Sequence, residues 1–224
     1  MSQEGFTTQH RALGRAASWT VFSLVVIYAV VLILGFLSLK SPQDQIGDPY
    51  FTLMELLIIL MMPFMVMSMI AVHAYATPDA KVFSFTALAF MIVMVVITSG
   101  LHFVILTVSR QIEAAGLTSA PLFFSFKWPS VAYALDILAW DWFFALSILF
   151  AVPVFKNSGL EKVLRYFMIA TGVLSLIGLL GVPLAIMNVE NWFVVRNIGI
   201  VGYSFGSLGV FLLMGIVFGR SQQV

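Results

Sequence analysis

The 224-residue chain has no cysteine, so disulfides, thiolate metal sites and thiol chemistry are excluded. Charge is scarce as well, since Asp, Glu, Lys and Arg make up only 9% of the residues, against roughly 25% in soluble domains. The formal net charge of +1 provides no basic surface for nucleic acid, which is excluded as a partner. A soluble globular domain does not fit this composition.

Apolar residues take the place of the missing charge. They make up 61% of the chain, and the mean hydropathy is +1.05, which indicates an integral membrane protein surrounded by the lipid bilayer. The first 17 residues are polar, and the apolar run that follows is about 20 residues long, too long for a signal-peptide core. No A-x-A cleavage site follows it. This run is therefore predicted to be a retained first span.

Six segments are long and apolar enough to cross a bilayer, which takes about 20 residues in a helix. No linker or composition change separates a soluble domain, so residues 1–224 are predicted to form a single transmembrane domain. The predicted fold is an all-α integral membrane protein, a bundle of six transmembrane helices. The predicted spans are 18–39, 50–75, 83–109, 131–155, 163–187 and 194–219.

Lysine and arginine are distributed unequally between the two sides of this bundle. Loops on the cytoplasmic side carry the excess of such residues, so both termini are predicted to be cytoplasmic. The side of the termini holds Arg11, Arg15, Lys81, Lys156, Lys162, Arg165 and Arg220. The opposite side holds Lys40, Arg110, Lys127 and Arg196.

The longest connection, residues 110–129, lies on the predicted outer side. It combines charged residues with the apolar stretch 122–126, LFFSF. Two interpretations remain open: an ordinary loop at the membrane interface, or a segment folded over the mouth of the bundle.

Ionisable residues inside the spans are the main functional feature. The stretch ALDILAWDWFF, residues 134–144, contains Asp136 and Asp141, and Glu55, His102 and Arg196 lie in three other spans. At 1.5 Å per residue, four of these five lie roughly 4–11 Å from the outer boundary, and Asp141 lies about 15 Å deep. Charged side chains at such depths usually face the bundle interior and have partners.

Each of these residues also has an ordinary interpretation. Glu55 and Asp136 fit first-turn carboxylates near the headgroups, where the helix dipole favours them. Arg196 could extend to the interface, and His102 could be an interior histidine bonded to backbone. None of these interpretations applies to Asp141, which must be neutral, paired or hydrated.

The two aspartates are five residues apart, about 140° around an α-helix. They can face one small ligand only if the helix is locally distorted. Asp136 is therefore predicted to pair with a neighbour such as Arg196, while Asp141 faces the bundle axis between Trp140 and Trp142, which could wall a pocket.

These groups together favour a proton relay or the polar end of a substrate cavity. The first hypothesis is a transporter of a small molecule or ion, with or without proton coupling, or a ligand-binding sensor, with an outward-facing polar cavity. The second is a membrane-embedded enzyme acting on a lipid or isoprenoid-like substrate, with Glu55, His102 and Asp136 as acid–base groups or ligands of a divalent metal. The third is a structural accessory subunit. No H-E-x-x-H motif supports metal-dependent catalysis.

A methionine stripe runs along the second span, where Met61, Met65, Met69 and His73 recur every four residues. Thioether sulfur is a soft ligand suited to Cu(I), so a copper path is one interpretation. The other, which we favour, is that methionine fills irregular gaps between helices. No cofactor is predicted otherwise.

The sixth span carries a G-x-x-x-G motif formed by Gly202 and Gly206. Paired small residues at this spacing let another helix approach closely. The motif predicts close packing either within the bundle or between copies of the chain, which would give a homo-oligomer.

Two stretches, AWDWFFALSILFAVPVF (139–155) and RNIGIVGYSFGSLGVFLL (196–213), resemble parts of a group of small, uncharacterised bacterial multi-span membrane proteins. The resemblance covers mainly the C-terminal half and includes the positions of Asp141, Arg196 and Asn197. It implies a bacterial cytoplasmic (inner) membrane, and it implies no substrate or reaction.

Overall fold

The computed structural model describes residues 6–41, 44–109, 111–112, 115–116, 120–126, 128–156 and 159–220. All regular secondary structure within these ranges is helical, and six of the helices are long and apolar enough to cross a membrane. The prediction of an all-α fold with six helices long and apolar enough to span a membrane is confirmed. The helices are α1 (Thr8–Leu37), α2 (Tyr50–Tyr75), α3 (Pro78–Ser109), α4 (Val131–Val154), α5 (Gly159–Ile186) and α6 (Trp192–Arg220).

Helix α1 begins ten residues before the predicted first span. The Thr7 hydroxyl accepts the backbone N–H of His10, and His10 Nδ1 accepts the backbone N–H of Thr7, both at 3.3 Å. This reciprocal capping box satisfies two N–H groups that the helix end leaves free. The start of the apolar run predicts where the membrane span begins. The capping residues determine where the helix itself begins.

Side-chain caps also fix the starts of α2 and α4 on the opposite side of the bundle. The Asp48 carboxylate accepts the Thr52 backbone N–H at 3.2 Å and its hydroxyl at 2.5 Å. The Ser130 hydroxyl accepts the Tyr133 backbone N–H at 3.1 Å. Both caps satisfy donors in the first turn of a helix. Glu55 and Asp136 therefore lie shortly after well-defined helix starts.

The six helices form a ring in chain order. Each helix packs against the next one in sequence, and α6 returns to pack against α1. The predicted side of the membrane for each end stays a prediction, and Arg110 and Lys127, two residues of the charge count, lie outside the described residues.

The glycines of α6 face α5 in the same chain. A Cβ atom on Gly202 would lie 2.6 Å from Leu174 Cβ, and one on Gly206 would lie 2.1 Å from Thr171 Oγ1. The G-x-x-x-G motif therefore serves packing within the bundle, one of its two predicted roles. Association between copies through this face stays a prediction.

The methionine stripe lies in the apolar interior. Met61, Met65 and Met69 are at most 5% exposed and belong to one cluster with Met91 and Met94 of α3. His73 lies at the far end of the stripe, where its Nδ1 is 2.9 Å from the Ser84 hydroxyl. These contacts support the packing interpretation. Copper binding stays a prediction.

Of the irregular segments in the described helices, three adjoin the predicted outer charges, whereas the 3-10 turns Pro78–Ala80 and Val152–Val154 lie away from them. Residues Leu138–Phe144 of α4 and Ile105–Ser109 of α3 are π-helical, and α5 is broken at Leu180. Asp141 lies in the centre of the first π segment. π-Helical turns inside α-helices are rare and occur often at functional sites.

Candidate functional site

Five ionisable side chains are buried together at one end of the bundle, and we call Glu55, His102, Asp136, Asp141 and Arg196 the charged layer. They come from α2, α3, α4 and α6, near the start of α2, α4 and α6 and near the end of α3. Four of them are almost completely buried, and the Asp136 side chain is 13% exposed. The sequence placed four of these residues at one depth and Asp141 deeper, and Asp141 is indeed further along its helix, the eleventh residue of α4.

His102 lies between two carboxylates from different helices. Its Nδ1 donates to Glu55 Oε2 at 2.8 Å, and its Nε2 lies 3.8 Å from Asp136 Oδ1. A neutral imidazole has one N–H donor, whereas an imidazolium has two, so only the protonated ring can donate toward both carboxylates. The contacts of His102 are thus with side chains, and the interpretation of a backbone-bonded interior histidine is wrong.

The connection before α4 covers this cluster. The Phe126 ring stacks on the His102 ring, with the ring centroids 5.2 Å apart and the planes at 29°. Phe126 also packs against Leu101 and Ile105 of α3. Of the two interpretations of residues 110–129, folding over the bundle mouth therefore describes the segment around Phe126.

Asp141 and Arg196 form the second charge contact of the layer. Arg196 Nη1 lies 2.7 Å from Asp141 Oδ2, and the two residues are 1% and 0% exposed. The predicted pair of Asp136 and Arg196 is wrong, because Arg196 contacts Asp141 and Asp136 lies beside His102. The interpretation of Arg196 as a residue that extends to the interface is wrong too, because its side chain is buried.

The contact between Asp141 and Arg196 leaves polar atoms without hydrogen bonds. The pair is close, but its angles do not meet hydrogen-bond geometry. Among the described residues, neither carboxylate oxygen of Asp141 and none of the three guanidinium nitrogens of Arg196 has a hydrogen-bond partner. Buried polar groups in this condition are uncommon and costly.

Aromatic rings surround the guanidinium. Arg196 Cζ lies 5.5 Å from the centroid of the Tyr133 ring and 5.9 Å from that of Tyr203. Trp140 stacks on Tyr203 with the centroids 5.2 Å apart, whereas Trp142 is 40% exposed. Only one of the two tryptophans flanking Asp141 therefore contributes to the wall of the site. Cation–π contact favours a charged guanidinium at this position.

Two glycines leave the space that the Asp141 and Arg196 side chains occupy. A Cβ atom on Gly199 would lie 2.8 Å from Asp141 Oδ1 and 3.1 Å from Arg196 Nη1, and one on Gly181 would lie 3.0 Å from Arg196 Cβ. Sequence reasoning treated the glycines of α6 as packing residues only. The position of Gly199, three residues before Gly202 of the α5-facing motif, could not show that it adjoins a charge pair.

The two aspartates of α4 face different helices. Asp136 lies beside His102 of α3, and Asp141 contacts Arg196 of α6. The local distortion that a shared ligand would require is present, since the helix is π-helical from Leu138 to Phe144. Even so, each carboxylate has its own cationic neighbour.

The five side chains do not balance in charge among themselves. Three carboxylates face one arginine and one histidine, so this set keeps one negative charge even when His102 is protonated. Uncompensated charge in a low-dielectric interior is expensive. Arg110 and Lys127 lie outside the described residues, so the described set becomes neutral with one additional proton, bound cation or cationic side chain.

Metal binding finds little support in these side chains. Among the residues that the structure describes, no three His, Cys, Asp or Glu side chains form a group able to hold a metal ion. His102 turns one ring nitrogen toward each neighbouring carboxylate, with Nδ1 2.8 Å from Glu55 and Nε2 3.8 Å from Asp136. Binding of a divalent metal stays a prediction.

Compared with protein-family models, with curated proteins and with solved structures, the chain has no match. The fold and the charged layer are therefore the basis on which a function is proposed.

Proposed function

We propose that the chain is a transporter that moves a small solute across a bacterial cytoplasmic membrane together with a proton. The charged layer would form its binding site, open toward the outer face if both termini are cytoplasmic. A ligand-binding sensor would use the same layer without moving the solute, and transport measurements separate the two.

The carboxylate excess of the charged layer is the observation that carries this proposal. Three carboxylates, one arginine and one histidine are buried where charge must be compensated. A layer that is neutral only with one more proton or cation has a physical reason to exchange one. Ionisable residues in membrane helices commonly mark such proton or ion pathways.

Protonation of His102 connects three helices. The imidazolium donates one N–H to Glu55 of α2 and directs the other toward Asp136 of α4, 3.8 Å away, so its charge attracts both carboxylates to α3. Loss of the proton leaves one carboxylate facing a ring nitrogen lone pair, which weakens this connection. Proton binding and helix arrangement would then be coupled, because the proton has different affinities for the two arrangements.

The experiment measures proton movement in proteoliposomes that contain a trapped pH-sensitive dye. A panel of small solutes is added outside, and solute-dependent acidification of the lumen is expected for the wild type. His102→Gln should reduce its rate by at least about tenfold, since an essential proton carrier is lost. His10→Gln is the matched control, because a glutamine at this position of the capping box keeps the cap. The absence of proton movement with every solute of the panel would overturn the proposal.

The second candidate is the membrane-embedded enzyme. It is favoured by one observation, that His102 lies 2.8 Å from Glu55 and 3.8 Å from Asp136, which places two carboxylates beside one imidazole. Turnover of a radiolabelled bacterial lipid extract by purified protein, abolished in His102→Gln and kept in His10→Gln, would favour this candidate over transport. Metal analysis of the same preparation tests its metal-dependent form.

A further inference from the structure

The contact between Asp141 and Arg196 is incomplete in a way that indicates a ligand. Both side chains are almost fully buried, and they carry opposite charges 2.7 Å apart. Their donors and acceptors nevertheless lack hydrogen-bond partners among the described residues. Arg196 has N–H groups to donate, and Asp141 has lone pairs to accept.

Such groups are nearly always satisfied in proteins, by protein, by water or by a ligand. Here the unsatisfied donors and acceptors lie side by side, so one small molecule that carries an anionic group next to a cationic one can satisfy both. The aromatic rings of Tyr133, Tyr203 and Trp140 form an apolar wall beside the guanidinium. A ligand at this position would therefore meet charges and an apolar surface together.

We propose that the Asp141–Arg196 pair is the binding site for a small zwitterion, and specifically for an α-amino acid. The ligand carboxylate accepts hydrogen bonds from Arg196, and the ligand ammonium group donates to Asp141. The statement that this ligand is the transported solute rests on the proposed function. Its binding to the pair can be measured without any transport.

The need for two partners selects a zwitterion over a simple ion. The pair is neutral as a unit, and a simple anion or cation would supply a partner to only one of its two charged groups and leave the other unsatisfied. A zwitterion adds no net charge and supplies both missing partners. The proton that neutralises the rest of the layer can then enter with it, which fits a symport of one solute and one proton.

The geometry also limits the length of the ligand. Because the Asp141 and Arg196 atoms are in direct contact, the two charged groups of the ligand must be close together as well. In an α-amino acid a single carbon separates them. In γ-aminobutyrate three carbons separate them, so this compound is the natural negative comparison.

Binding is tested with purified full-length protein in lipid nanodiscs. Tritiated glycine, leucine and phenylalanine are the probes, and saturable binding of at least one of them is expected. N-acetyl-leucine, leucine amide and γ-aminobutyrate should compete at least about tenfold more weakly than leucine, because each leaves one buried group unpaired. This series uses the wild type alone, so it does not depend on a variant that folds poorly. Absence of saturable binding by all three probes, or equal competition by the altered compounds, overturns the inference.

The double variant Asp141→Asn/Arg196→Gln removes both charges and keeps similar shapes. It should lose binding by at least about tenfold, whereas His10→Gln should bind as the wild type does. Retained binding in the double variant would overturn the inference. The two proposals also fail separately. Binding without proton movement contradicts proton-coupled transport, and proton movement without amino-acid binding contradicts the zwitterion site.

Discussion

Arg196 is the largest side chain that the described part of the structure buries completely, and it is charged. Membrane interiors rarely contain an arginine without a countercharge, and Asp141 provides it at 2.7 Å. The two residues therefore stabilise each other more than either stabilises the fold. This interdependence can be measured.

We predict that Asp141→Asn alone lowers the free energy of unfolding by about 3–5 kcal/mol, because it leaves the buried guanidinium without a countercharge. The double variant Asp141→Asn/Arg196→Gln should recover most of this loss. Reversible unfolding in mixed detergent micelles, followed by circular dichroism, gives both values. If the double variant is as unstable as the two single changes added together, the pair is not coupled.

We also predict that Gly199→Ala destabilises the protein by about 1–3 kcal/mol, the usual effect of overpacking. Its Cβ would lie 2.7 Å from Gly178 Cα and 2.8 Å from Asp141 Oδ1. Gly100→Ala is the control, because a Cβ there meets nothing within 4 Å and alanine favours a helix. A loss of thermal stability that is equal for both variants would contradict this explanation.

The members of the charged layer could be found from sequence, because ionisable residues are conspicuous in apolar spans. Their pairing could not. The depth of a residue in a helix can be counted from the sequence. The partner that its side chain contacts also depends on the rotation of the helix about its axis and on the length of the side chain. Arg196 was placed near the surface by its position, four residues into α6, and its side chain contacts Asp141 deep in α4.

At the level of single helices, the π segment of α4 is the main feature that the sequence does not reveal. Residues 138–144 are as apolar as the rest of the span, and a change from α to π hydrogen bonding alters no residue type. Apolar length predicts that a helix crosses the bilayer, since every backbone group must be bonded there. Apolar length does not predict whether an N–H donates to the carbonyl four residues earlier, as in an α-helix, or five residues earlier, as in a π-helix.

The packing of α5 against α6 leads to a prediction at this scale. Gly206→Ala should lower the melting temperature, because its Cβ would overlap the Thr171 side chain. Phe205→Ala, at the neighbouring position that is 69% exposed, should change the melting temperature little. Light scattering of the purified variants checks the alternative: a change of oligomeric state in Gly206→Ala without loss of stability would assign the glycines to an interface between copies.

For the whole molecule, the number of spanning helices follows from composition, whereas their termini do not. The second span was predicted with its observed limits, 50–75, because a polar turn precedes it and a proline-containing turn follows it. The first and fifth helices begin earlier than predicted, because polar residues that precede the apolar run are helical as well. The neighbours in the ring could not be predicted, because apolar faces of similar composition do not specify partners.

The orientation of the whole chain can be tested directly, because the natural sequence contains no cysteine. Single substitutions Gln9→Cys, Asp79→Cys and Glu190→Cys place one thiol at exposed positions. A membrane-impermeant maleimide should label Glu190→Cys in intact cells, and should label the other two only after permeabilisation. Labelling of Gln9→Cys in intact cells would reverse the orientation and place the charged layer near the cytoplasm.

The stacking of Trp140 on Tyr203 makes the site optically observable. Trp140 is adjacent in sequence to Asp141, and its ring lies on the tyrosine that borders the Arg196 guanidinium. Indole emission depends on nearby charges and on stacking, so a solute or proton entering the layer should change its intensity or wavelength. Replacing Trp19, Trp128, Trp142 and Trp192 by phenylalanine would leave this single indole as a built-in fluorophore. The same residue that borders the buried charges would then report, in real time, when they are occupied.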